Sequence, residues 1–153
     1  MTKRGSLLGM VVLALTLVLA STFVASADDD HGRLLTARLT GAAEVPGPGD
    51  SNGEGQAWII LFPEQSQVCF TLTVERVDPL TAAHIHVAPR GQAGPVVVPL
   101  TPLAPSGASG GCVSADQQLI RAIRQQPSAY YVNVHNVPFP AGALRGQLHP
   151  LND

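Results

Sequence analysis

The sequence predicts an all-β domain: an antiparallel β-sandwich, Greek-key-like, of about seven to eight strands with one short helix. Three observations predict it. The 153 residues hold 15 Gly and 13 Pro, too many for a helical bundle and natural for strands joined by tight turns. Short apolar or alternating runs recur between turn signals at intervals of about 8–12 residues. Only one stretch carries helical periodicity and helical punctuation.

The N-terminus is set apart from that domain. Lys3 and Arg4 precede a nearly unbroken apolar run from Leu7 to Val24, and Ala25-Ser26-Ala27 supplies small residues at a cleavage site. Residues 1–27 therefore read as a secretory signal peptide cut after Ala27. The rival reading is a retained anchor, because the run is about as long as the shortest membrane span. No Cys lies near the site, so a lipoprotein anchor is not supported. Residues 28–33 then form a short acidic tail, 34–149 the domain, and 150–153 a C-terminal tail.

Within the domain, Leu35, Ala37 and Leu39 alternate with polar or small residues and mark a first strand near 33–41. Residues 46–53 are Gly- and Pro-rich and read as a loop. Gln56 to Phe62 is apolar and reads as a buried strand. Val68, Phe70, Leu72 and Val74 alternate with Cys69, Thr71, Thr73 and Glu75, a half-buried strand. Strands follow at 82–88 and 96–100, and 102–111 reads as loop. The helix starts with Ser114 as cap and Gln117 completing a capping box. Leu119, Ile120 and Ile123 form its apolar face, Arg121 and Arg124 suit its C-terminal end, and Pro127 stops it. Tyr130 to His135 and Ala143 to His149 are the closing strands.

Composition excludes several classes. Beyond residue 27 there are seven Arg, no Lys and eleven acidic residues, a net charge of −4. Such a chain has no general attraction for nucleic acid or anionic lipid. The mean hydropathy of +0.19 owes its sign largely to the signal segment. Cys69 and Cys112 are an even pair in an exported chain and read as one disulfide. It would close a loop of about 44 residues, worth about 4 kcal/mol by loop entropy. A thiolate metal site or a catalytic Cys is disfavoured, because the two lack C-x-x-C spacing.

The chemistry that can be specified sits on histidines. In His84-Ile85-His86, residues i and i+2 of a strand face the same way, about 6.6–7 Å apart. Ile85 then points into the core. His135 ends a strand whose same-face partners are Tyr131 and Asn133. If that strand end lies beside 84–86, three imidazoles gather at one rim, a donor set suited to copper or zinc rather than calcium or magnesium. The plainer reading is that these are polar or packed strand residues with no metal. Arg145 either orients an anion or braces the sheet through carbonyls and acids. His31 and His149 lie near the termini and read as solvent-exposed. Glu44, Glu54, Glu64 and Glu75 offer acid–base chemistry, but no spacing selects a pair. There is no phosphate-binding loop, dinucleotide fingerprint or nucleophile elbow, and no catalytic residue is assigned.

Several segments carry a resemblance. Ala83 to His86, Gly94 to Val98, Pro127 to His135 and Phe139 to Leu148, with Leu39 to Pro46 as an opening strand and loop, resemble the CHRD domain. The positions of Cys69 and Cys112 are similar as well. The resemblance spans residues 34–149. It implies an extracellular or exported module, since the domain is named from chordin, a growth-factor-binding extracellular protein. It implies no settled activity for bacterial members. His149 after the RGQL ending departs from the pattern. The H-x-H strand is also similar to the first two copper ligands of copper–zinc superoxide dismutase, but no His- and Asp-rich zinc loop accompanies it. Two functions from different classes stay open. One is a non-enzymatic binding or structural module, its partner an unknown protein or a metal. The other is a copper protein, carrier or redox site, on His84, His86 and His135. Each His would bind as neutral imidazole, so affinity would fall as pH drops through about 6.5.

Overall fold

The computed structural model describes residues 32–151 except 102, 105 and 106. Residues 1–27, read above as a signal peptide, the acidic run Asp28-Asp29-Asp30 and His31 lie outside the described residues. Among the described residues nine strands form: β1 (Arg33–Thr40), β2 (Glu54–Phe62), β3 (Gln67–Glu75), β4 (Leu80–Val87), β5 (Val96–Pro99), β6 (Ala108–Ser114), β7 (Tyr130–Asn136), β8 (Leu144–Gln147) and β9 (His149–Pro150). One α-helix, α1 (Gln117–Gln125), connects β6 to β7. All pairings are antiparallel, in the order β5-β4-β7-β8-β1-β2-β3-β6, with β9 beside β1. The all-β, sandwich-like architecture with one short helix is therefore what the chain adopts.

Alternation decides which face each strand buries. Leu35, Ala37 and Leu39 of β1 face Ala57, Ile59 and Leu61 of β2, and Val68, Phe70, Leu72 and Val74 of β3. Ala83 and Ile85 of β4 and Val132 and Val134 of β7 close the same core from the other half of the sheet. Ile59, Leu61, Ile85 and Val132 are fully buried, each contributing about 1.5–3 kcal/mol relative to exposure. Trp58, Ile60 and Phe62 take the opposite face of β2 and are half-buried. That is why the segment reads as continuously apolar.

Three local expectations change. Residues 102–111 are not all loop: β6 begins at Ala108 and pairs with the length of β3. Its Ala, Ser and Gly residues have weak strand propensity, and the partner strand overrides it. Cys69 and Cys112 face each other across this pair and form the disulfide. The helix cap is Asp116, whose carboxylate accepts from the Leu119 N–H at 3.0 Å. Ser114 ends β6 instead, and Gln117 reaches out to Glu64 at 3.2 Å rather than back to a cap. The last strand splits at Leu148 into β8, which lies between β7 and β1, and β9, which pairs with β1 alone. Ile120 and Ile123 bury the helix face as expected. No helix among the described residues is long and apolar enough to cross a membrane.

Candidate metal centre

The register of two strands assembles the site. In the β4–β7 pair, His84 lies opposite Asn133, His86 opposite Tyr131 and Ala82 opposite His135. His135 is thus the diagonal neighbour of His84 on the face that carries both β4 histidines. Ile85 points the other way and is fully buried. Ring centroids are 5.1 Å apart for His84 and His135, 5.6 Å for His84 and His86, and 6.5 Å for His86 and His135. One nitrogen from each ring lies within 4.8 Å of the other two. To share one ion at about 2 Å each, the three nitrogens would have to draw somewhat closer together.

Backbone carbonyls choose the tautomers. The Nδ1 of His86 is 2.9 Å from the Gly94 carbonyl, and the Nδ1 of His135 is 3.0 Å from the Pro140 carbonyl. A carbonyl only accepts, so both rings carry their proton on Nδ1 and leave a lone pair on Nε2. The Nε2 of His86 is buried with no hydrogen-bond partner among the described residues. The Nε2 of His135 lies 3.3 Å from the Nδ1 of His84. His84 therefore donates from Nδ1 in the resting chain, and it must move that proton to Nε2 to turn a lone pair inward.

Burial keeps these rings neutral. All three titrate below the ordinary histidine range, first because burial disfavours the imidazolium. The neighbouring histidines lower His84 further, and the Gly94 carbonyl partly opposes the shift at His86. Neutral imidazole is the form that binds metal.

A layer of contacts fixes the rings. Gly94 approaches β4 so closely that a Cβ there would lie 1.9 Å from the Val87 carbonyl oxygen, so only glycine brings its carbonyl to His86. Tyr131 stacks on His86 at 4.8 Å and 12°. The Arg145 guanidinium sits 3.5 Å from the centre of the Tyr131 ring. Since β4 and β8 flank β7, the tyrosine stands between the two. Arg145 is 2% exposed and donates from Nη2 to the Pro89 carbonyl at 3.1 Å. Bracing through carbonyls, one of its two expected roles, is thus realised. It lies opposite Asn133, one step from His135.

Of the four glutamates, the fold singles out Glu44. It is 5% exposed and accepts a 2.5 Å hydrogen bond from the Asn133 Nδ2. Burial pushes its carboxyl up to about 7, against the pull of Arg145. Gly142, at φ 152°, leaves room for it: a Cβ there would lie 2.4 Å from Glu44 Oε2. Sequence reasoning did not select Glu44. Its one signal is a lone acid in a Gly/Pro loop that joins the first strand. Glu54 and Glu64 bind surface arginines instead, and Glu75 is exposed. His149 is exposed on β9 and takes no part in the cluster.

Fold and site together define a half-buried histidine cluster on an all-β, disulfide-bonded domain. The family model for the CHRD domain matches residues 35–148, and the chain belongs to that family. Membership places it among binding or structural modules. A search of curated proteins and of solved structures gives no match.

Proposed function

We propose that this chain is an exported, extracytoplasmic binding module whose ligand is a copper ion held by His84, His86 and His135. Export rests on the 1–27 segment and on the disulfide, which persists in oxidising compartments. The observation that carries the metal reading is the convergence of three nitrogens within 4.8 Å, with the His86 Nε2 otherwise unsatisfied. Three neutral nitrogens and no thiolate or carboxylate suit Cu(II), which such a set binds more tightly than Zn(II). The rim location of half-buried His84 and His135 leaves a side open for an exchanging partner or a small reactant. A carrier and a redox site both fit that opening, and a dismutase assay separates them. The other reading is a module that binds through its surface without metal.

Chelator-treated protein titrated with Cu(II) is expected to take up one ion and give an EPR spectrum with nitrogen hyperfine structure. His86→Ala and His135→Ala are expected to weaken binding beyond the ~10–100-fold typical of losing a supporting partner. Unchanged uptake in the His84→Ala, His86→Ala double variant would refute the metal reading.

A further inference from the structure

A second site lies on the other side of Tyr131. A cleft of about 490 Å³ opens between the end of β1, the 42–45 segment, the 90–91 turn and β8. Arg38, Arg90, Arg145, Glu44, Gln147 and His149 line it. None of the three candidate copper ligands does. Arg38 and Arg90 are exposed at its rim.

Arg145 is the unusual wall. Its side chain is almost completely buried, yet Nη1 has no hydrogen-bond partner among the described residues. An unsatisfied buried donor is costly, the more so when charged. Glu44 does not relieve it. No ion pair within 4 Å joins them among the described residues, and the Oε1 of Glu44 accepts from Asn133. The cleft is lined by three guanidinium groups and one carboxyl that burial drives toward its neutral form; of the three, Arg38 also reaches Glu54 at 3.7 Å.

We propose that this cleft binds a small oxyanion, a carboxylate or a phosphate group, with one oxygen on the Nη1 of Arg145 and the remaining charge met by Arg90 and Arg38. Nη1 is shielded from water in the ligand-free chain, so the oxygen enters as the exposed 90–91 turn yields. Gly91 has a φ of 79° and open space around it. The planar guanidinium fork matches both kinds of oxyanion.

The test uses EDTA-treated protein, so that no metal bridges the anion. Phosphate and succinate are titrated separately at constant ionic strength against chloride, with binding read from NMR shifts of the arginine side-chain N–H groups and of Tyr131. Saturable binding of one or both anions is expected, and the arm that saturates names the chemistry. Arg145→Lys keeps the charge and removes the fork, and should weaken binding about tenfold or more. If that variant does not fold, Arg38→Ala with Arg90→Ala, both at exposed positions, should weaken it similarly. The proposal is overturned if neither anion saturates beyond the chloride control. It is equally overturned if binding is unaffected by the Arg38→Ala, Arg90→Ala change in a folded protein.

Discussion

Glu44 carries the most strongly displaced carboxyl that the structure resolves, and its pH dependence has a definite sign. The group titrates near 7 in the folded chain against an ordinary 4.5. Between those values the folded chain holds a proton that the unfolded chain has released. The stabilisation is therefore fully present below about pH 4.5 and is lost as pH rises through 7. The shift corresponds to about 3 kcal/mol as an order of magnitude. Glu44→Gln keeps the shape and can still accept from Asn133 without the charge. It should raise stability by up to about 3 kcal/mol at pH 8 and change little at pH 4, read from urea midpoints. An equal effect at both values would show that Glu44 is not the titrating group. At the same scale, His84 is the one cluster member without a carbonyl lock on Nδ1, so its ring would have to exchange tautomers to bind the proposed metal through Nδ1.

The helix and the sixth strand show how elements depart from local signals. Both Ser114 and Asp116 are competent caps, and a Gln three residues after Ser114 completes a plausible box. Pairing decides between them. β6 extends to Ser114 opposite Gln67, which leaves Asp116 as the first residue free to cap. Asp116→Ala is expected to cost about 1 kcal/mol and Ser114→Ala much less. Thermal melts of the two variants check this, and the reverse order would place the cap at Ser114. β6 itself was illegible because Gly110 and Gly111 carry no strand signal. It forms because β3 offers a paired edge and Cys112 is tied to Cys69. By contrast β1 and β3 were legible, since their alternation is a local pattern that survives folding, and β7 was legible as a run of β-favouring residues.

Across the whole molecule, the candidate centre joins β4 and β7 in the half of the sheet that closes over the core. An ion bound there stabilises the folded chain alone. At a free copper concentration 100 times the dissociation constant, the gain is about 2.7 kcal/mol. For a domain of this size that is a rise in melting temperature of roughly 10 °C. Calorimetry of the EDTA-treated protein with and without Cu(II) measures it, and the rise should vanish in the His84→Ala, His86→Ala variant. A rise that persists there would mean that copper binds elsewhere.

The sequence by itself determined the fold class, the disulfide partners, the family resemblance and the shared face of His84 and His86. Each of these rests on spacing along the chain, where a strand's period of two or a count of two cysteines suffices. Only the tertiary structure decided that His135 stands diagonal to His84, that Glu44 alone among the glutamates is buried, and that Arg145 keeps an unused donor beside a cleft. Those facts depend on register between strands about fifty residues apart and on which loop covers which face. No local pattern encodes them, because register is settled by the summed packing of the whole core.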